Sequence, residues 1–184
     1  MNIVIIAGSN RKAATSTRLS SYVGQLISQK GHSVKLFDLY ETPLPFYSSE
    51  GTGHDHESVV RLQQAMREAD GVVLASPEYH GSISGVLKNA LDFLGQDHFR
   101  GKAVLSMSSA GGAVGTSSLT QLQAIVRNLH GINSPEWISI GGAQRSWLMD
   151  GLNGYEGAGQ DLSDRIHRAT VTFLDLAALV RNKN

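Results

Sequence analysis

The stretch "VVLASPEYHGSISGVLKNALDF", residues 72–93, decides the reading of this chain. Its first part, Val72–Ser76, is an unbroken apolar run rather than an alternating one, as in a strand covered on both faces of a parallel sheet. A turn punctuated by Pro77 and Gly81 follows, and the remainder reads as a helix. Unbroken apolar runs recur at Ile3–Ala7 and Ala103–Met107. Val34–Asp38 and, less regularly, Trp137–Ile140 complete a set of five expected strands.

Helical periodicity fills the intervals. Leu19, Val23, Leu26 and Ile27 share one helical face, as do Val59, Leu62, Met66 and Ala69. Leu119, Leu122, Ile125, Val126 and Leu129 repeat the pattern, and Leu162, Ile166, Ala169, Phe173 and Leu176 close the chain with it. Gly31 and Gly131 stand where helix C-terminal caps are expected. Alternation of strand and helix in units of roughly thirty residues implies a doubly wound parallel sheet with right-handed crossovers. Five strands favour the flavodoxin-like order 2-1-3-4-5, with helices on both faces, over a six-stranded dinucleotide fold. The chain reads as one α/β domain over residues 1–184, with two long loops at Leu39–His56 and Gly141–Gln160.

Composition narrows the chemistry. The 184 residues are 41% hydrophobic and 17% charged, with a formal net charge of zero, which is the balance of a soluble globular protein. Neutrality gives no footprint for nucleic acid. Cysteine is absent, which removes disulfides, thiolate catalysis, Fe–S clusters and Cys-based zinc sites together. Redox work would therefore fall to a bound cofactor. The opening "MNIVIIAGS" has no basic region before it and too short an apolar run for a signal peptide or a membrane span, so the expected location is the cytoplasm, without membrane insertion.

In an open α/β sheet, ligands bind beyond the carboxyl ends of the strands, where the strand order reverses. Three loops meet there. "GSNRKAATSTRL" (8–19) offers the hydroxyls of Ser9, Thr15, Ser16 and Thr17, the charges of Arg11 and Arg18, and a helix N-terminus. It suits a phosphate, although it is neither a Walker loop nor a GxGxxG fingerprint; the alternative is simple helix capping with solvated arginines. The turn from Pro77 to Ser82 suits a flat polar heterocycle, because Gly81 admits a close backbone and Tyr79 and His80 offer planar surfaces. The alternative is an ordinary strand-to-helix turn. "SMSSAGGAVGTSS" (106–118) places Gly111 and Gly112 where a ring could lie against backbone, or where a loop is merely flexible. Lys88 and Asp92, four apart, read as a helix-face ion pair.

"GSNR" after the first strand, "SPEYHGSISGVLKNALDF" after the third and "SSAGG" after the fourth resemble the NADPH-dependent FMN reductase family, which includes quinone, chromate and azo-dye reductases. The resemblance spans nearly the whole chain. It implies bound FMN, NADPH or NADH as hydride donor, a small-molecule electron acceptor (quinone, free flavin, azo compound or metal oxyanion), and a homodimer or homotetramer. Carried over by position, Ser9, Arg11, Ser16 and Thr17 would hold the phosphate. Pro77, Glu78, Tyr79, His80 and Gly81 would frame the isoalloxazine, largely through backbone atoms, and Ser108, Gly111 and Gly112 would contact its other side. The family usually has Asn where His80 stands and often Pro where Ser84 stands. Its first loop commonly runs Ser-x-Asn where this chain reads "AATSTR", which leaves the phosphate ligands after Arg11 open among Thr15, Ser16, Thr17 and Arg18.

With the chemistry on FMN, no side chain is required as a catalytic acid or base; His80 is the candidate for proton donation or flavin tuning. No metal site is expected. His54 and His56 read as part of a solvated loop, and His32, His98, His130 and His167 as residues of helix ends or exposed faces. Phe46, Trp137 and Trp147 suit an oligomer interface, the substrate mouth or the core. The competing function is an FMN-binding electron carrier that does not oxidise NAD(P)H, a class usually acidic where this chain is neutral. A flavin-free regulatory domain on the same fold is the third reading.

Overall fold

The computed structural model describes residues 1–150 and 160–181. In chain order the elements are β1 (Asn2–Ala7), α1 (Thr15–Gln29), β2 (Ser33–Asp38), α2 (Glu57–Glu68), β3 (Gly71–Pro77), α3 (Gly85–Asp92), α4 (Gln96–Phe99), β4 (Ala103–Ser109), α5 (Thr116–Asn128), β5 (Ile132–Asn133), β6 (Ile138–Ile140), α6 (Gln144–Asp150) and α7 (Gln160–Arg181). All pairings are parallel, and the order is β2-β1-β3-β4-β5, with β6 also on β4. The register sets Val4 beside Val72 and Val73 beside Leu105.

Side-chain alternation along these apolar strands feeds two cores, one on each face. Ile3, Ile5, Val73, Ala75, Leu105 and Met107 pack against Leu19, Val23 and Ile27 of α1 and Ile166 and Phe173 of α7. Val4, Ile6, Val72, Leu74 and Val104 pack against Leu62 and Met66 of α2, Leu87 and Leu91 of α3 and Leu122 and Val126 of α5. Burial on both faces explains the unbroken apolar composition of β1, β3 and β4. β2 lies at the edge, and its Leu36 is exposed.

Several expectations need correction. The fifth sheet position is not one strand from Trp137 to Ile140. β5 pairs with the start of β4 and β6 with its end, and Trp137 lies outside both. Pro135 between them has no N–H for the ladder, which interrupts the pairing. The segment Gly141–Gln160 is not loop throughout, since α6 occupies Gln144–Asp150; residues 151–159 lie outside the described residues. Leu148 of α6 is fully buried, and Trp147 meets Tyr22 edge-on with ring centroids 5.1 Å apart. His98 is buried on α4, where its Nδ1 accepts from the Gly95 N–H at 3.0 Å and desolvation lowers its pKa.

The C-terminus of α1 closes as expected on Gly31 (φ 82°), with Gly31 N–H to Ser28 O and His32 N–H to Ile27 O, a Schellman pair. The end of α5 differs. There the left-handed residue is His130 (φ 64°), whose N–H reaches Arg127 O while Gly131 N–H reaches Val126 O. Gly131 is required for space instead, because a Cβ would stand 2.8 Å from Val126 Cγ1. His130→Gly should therefore raise stability by about 0.5–1 kcal/mol, relieving the left-handed side chain. Urea denaturation measures it; an unchanged midpoint would remove His130 as a site of strain.

Candidate functional site

Hydrogen bonds beyond the regular ladders align the strand ends: Gly8 N–H to Ala75 O (2.8 Å), Glu78 N–H to Ser109 O (2.7 Å) and Ala110 N–H to Ile140 O (2.9 Å). The loops after β1, β3, β4 and β6 consequently leave from one edge of the sheet.

The first loop enters α1 with Thr15, Ser16 and Thr17 as its first three helical residues. The residue before them, Ala14, provides no side-chain cap, and the first turn holds no acidic residue. Ser16 is 0% exposed and Thr17 8%. Neither Ser16 Oγ nor Thr17 Oγ1 has a hydrogen-bond partner among the described residues. Capping therefore does not account for them. Two buried hydroxyls at a helix start with no side-chain cap form a donor set suited to an anion, and leaving such hydroxyls unmatched costs roughly 1–3 kcal/mol each. A phosphate dianion fits this set. Ser9 is buried, and its Oγ accepts from Arg11 N–H at 3.1 Å, shaping the loop. Arg18 is strapped down, with Nε on Ala13 O (3.2 Å) and Nη1 on Leu148 O (3.1 Å). Arg11 is exposed at the loop's tip and reaches the cleft described below.

The second loop is a two-residue type I′ turn. Tyr79 and Ser82 exchange both backbone hydrogen bonds at 3.0 Å, and the central residues His80 (φ 51°) and Gly81 (φ 70°) are both left-handed. Asn-Gly is the favoured pair for this turn, and His80 occupies the Asn position. Gln121 of α5 holds the turn from below: its Oε1 accepts from Ser82 Oγ (2.8 Å) and its Nε2 donates to Gly81 O (3.2 Å). Ser84, the N-cap of α3, accepts from Leu87 N–H and donates to Gly8 O, locking the second loop to the first. Gln121 was not singled out from sequence, since a single Gln carries no spacing signal, and Ser84 stood out there only as a departure from the family's usual Pro.

Glu78 turns its carboxylate away to α5, where Oε2 accepts from Ser118 N–H (2.9 Å) and Ser118 Oγ (3.0 Å). It caps a helix whose own N-cap, Gly115, has no side chain to do so. Glu78→Ala should cost about 1–2 kcal/mol of stability, the usual loss of a side-chain cap. Thermal melting checks this, and a Tm within experimental error of the wild type would refute the cap.

Ser108 does not stand in a loop. It lies buried in β4, its hydroxyl donating to Gly115 O (2.6 Å). Ser109, Ala110 and Gly111 form the wall expected of it. Gly112 is exposed, and its carbonyl accepts from Gly142 N–H at 2.7 Å, tying the β4 loop to the β6 loop. Asn89 fixes the long loop after β2 with Nδ2 on Pro45 O and Oδ1 receiving Tyr47 N–H, both at 2.8 Å. In that loop His54 packs among Tyr47 and Phe93, and His56 caps α2 through Ser58 N–H, so neither is simply solvated. The Lys88–Asp92 pair is present at 2.7 Å.

These loops enclose one shallow cleft. Its walls are Arg11, Ala14 and Thr15 from the first loop, Pro77, Glu78 and Tyr79 from the second, Ser109, Ala110 and Gly111 from the third, and Arg145 from α6. Arg11, Pro77, Glu78, Tyr79 and Gly111, expected from sequence, thus share a cleft with Thr15, one of the alternatives left open for the phosphate. Ser9, Ser16 and Thr17 lie buried beside its first wall, and His80 and Gly81 stand exposed at the next turn. Arg145 was missed because it lies in a segment read as loop. Among the described residues, no group of three His, Asp or Glu is placed to hold a metal ion, and no helix is long and apolar enough to cross a membrane.

A parallel sheet of this order, with an uncapped helix start and a glycine-walled cleft at its switch point, defines a flavodoxin-like protein. The chain belongs to the NADPH-dependent FMN reductase family, whose model residues 1–145 match. An FMN-dependent NADPH-azoreductase of Staphylococcus saprophyticus is 39% identical over 155 residues, 82% of each chain. An NADPH azoreductase of Bacillus sp. strain OY1-2 is 32% identical over 169 residues, 91% of this chain and 87% of that one. Among solved structures, FerB, a flavoenzyme NAD(P)H:(acceptor) oxidoreductase from Paracoccus denitrificans, superposes with a TM-score of 0.78 at 20% identity over 97% of both chains. A flavodoxin from the domain Archaea gives 0.63 at 13% identity, covering 98% of this chain and 99% of that one. Both share the fold.

Proposed function

We propose that this protein is an FMN-dependent NADPH oxidoreductase that delivers two electrons to a small acceptor, with azo compounds and quinones as the substrate class. The observation that carries the reading is the pair of buried, partnerless hydroxyls of Ser16 and Thr17 at an uncapped helix start. They and Arg11 would hold the FMN phosphate, with Ser9 shaping their loop. Pro77, Tyr79, His80 and Gly81 would frame the ring through the backbone of the type I′ turn, together with Ala110, Gly111 and Gly112. Glu78 and Ser108 would act from behind, through α5 and Gly115. Bound FMN supplies hydride acceptance and two-electron delivery. The chain's own share is to anchor the phosphate, to present backbone N–H groups to a flat polar edge and to keep one ring face open. His80, exposed beside the cleft, is the side chain placed to supply a proton.

The family relationship and the azoreductase relatives support this reading over an electron carrier. One flavin domain over residues 1–184 is supported by a core that joins Ile3 to Ala177. A homodimer or homotetramer is supported by Phe46, 92% exposed, and the exposed Trp137. Dependence on NADPH supports a cytoplasmic location. An anaerobic NADPH titration of the FMN-loaded protein tests the function, and stoichiometric loss of visible flavin absorbance is the expected result. Bound flavin that stays oxidised would make it a carrier, and a protein that binds no FMN would end the reading.

A further inference from the structure

The cleft is lined by two arginines on different walls and by one carboxylate that is engaged elsewhere. Its charged walls are Arg11, Glu78 and Arg145. Glu78 is committed to Ser118 of α5 and does not pair with either arginine. Arg11 and Arg145 each have no side-chain hydrogen bond or ion pair among the described residues. The other arginines nearby are engaged: Arg18 with Ala13 O and Leu148 O, and Arg165 with Ser139 O at 2.8 Å.

The two free guanidiniums stand on different walls. Arg11 belongs to the loop after β1, next to the phosphate-directed hydroxyls. Arg145 projects from α6 toward the loop after β4, its Nη1 3.9 Å from the place a Cβ on Gly111 would take. β3 separates β1 from β4, so the two loops leave the sheet two strand spacings, about 10 Å, apart. Arg11 thus belongs to the wall that carries Ser16 and Thr17, and Arg145 to the wall of Gly111. The backbone hydrogen bond from Gly142 to Gly112 fixes the segment that carries Arg145.

We propose that Arg145 selects a second anion for the cleft: its guanidinium binds an oxyanion of the reacting substrate, either the 2′-phosphate of NADPH or the sulfonate of an anionic acceptor. Arginine suits both, because its planar fork of donors matches a tetrahedral oxyanion at two points. This rests on the flavin reading above and adds to it the residue that discriminates charge.

The test compares wild type, Arg145→Gln, Arg145→Lys and Arg11→Gln, each loaded with FMN. Equilibrium titration with NADP⁺ and with NAD⁺, followed by perturbation of the flavin spectrum, reads the nucleotide arm. KM for methyl orange against KM for 1,4-benzoquinone reads the acceptor arm. FMN affinity from fluorescence reads the cofactor. If the 2′-phosphate is the ligand, Arg145→Gln lowers the NADP⁺-to-NAD⁺ affinity ratio about tenfold to a hundredfold, with partial recovery in Arg145→Lys. If the sulfonate is the ligand, the methyl orange-to-benzoquinone KM ratio rises by a similar factor instead. Both ratios unchanged would overturn the proposal. So would a loss of FMN affinity in Arg145→Gln equal to that in Arg11→Gln, which would place Arg145 on the cofactor's own phosphate. Failure of the wild type to bind FMN would overturn the flavin reading itself, an outcome visible before any variant is compared.

Discussion

Replacing Ser16 with Ala and Thr17 with Val together should weaken FMN binding by about 10²- to 10⁴-fold while leaving the apoprotein at least as stable as before. The two effects have opposite signs for one reason. Both hydroxyls are buried and lack partners among the described residues. Burying a hydroxyl without a protein partner costs roughly 1–3 kcal/mol. Alanine and valine keep nearly the same shape and remove that cost, so urea denaturation of the apoprotein should show no loss and a gain of about 1 kcal/mol per site. In the complex, each hydroxyl donates to a charged phosphate, a bond worth about 1.5–3 kcal/mol. Fluorescence titration with FMN measures the loss. A purely structural pair would give the reverse pattern, with stability falling and FMN affinity unchanged, and that result would remove the phosphate seat.

Gly8→Ala should cost about 3 kcal/mol and should also strip FMN from the protein. Gly8 follows β1 directly, and a Cβ there would lie 2.6 Å from Leu87 Cβ and 2.8 Å from Ala75 O. Neither neighbour can yield easily, since Leu87 is fully buried in α3 and Ala75 belongs to the central strand β3. Overpacking of this kind usually costs 1–3 kcal/mol, and a contact with backbone lies at the upper end. The same atoms carry the site. Gly8 O accepts from Ser84 Oγ, and Ser9 begins the loop proposed to hold the phosphate. Pushing β1 away from α3 therefore moves the first loop relative to the second. Denaturant unfolding and flavin content after purification check the two halves. A variant that folds with wild-type stability would show that α3 can shift, contrary to the packing described.

The unbroken apolar runs at β1, β3 and β4 made the parallel sheet legible, because a strand buried on both faces has no polar side to display. Loop chemistry pointed to the cleft in the same way: glycines and hydroxyls after three strands have a common destination once the sheet order is inferred. Arg11, Pro77, Glu78, Tyr79 and Gly111 meet in the cleft for that reason. Side-chain direction was a different matter. Glu78 lines the cleft where its backbone was expected to frame the ring, but nothing in the sequence showed that its carboxylate caps α5, because the bare start of that helix at Gly115 is a neighbour only in three dimensions. Ser108 looked like a loop hydroxyl, yet β4 runs two residues longer than expected and buries it.

Local chemistry along the chain determined the sheet, its order, the positions of the loops and the family, since each follows from period, burial on two faces or a contiguous motif. Tertiary structure alone decided which polar groups were left without partners. Ser16 and Thr17 are proposed as phosphate donors rather than caps because Ala14 gives the helix start no side-chain cap and both hydroxyls are buried without a partner among the described residues. Arg145 is available for a second anion only because Glu78 is already spent on Ser118. A hydrogen bond that is not made has no sequence signal, because it depends on every group that comes within reach after the chain has folded.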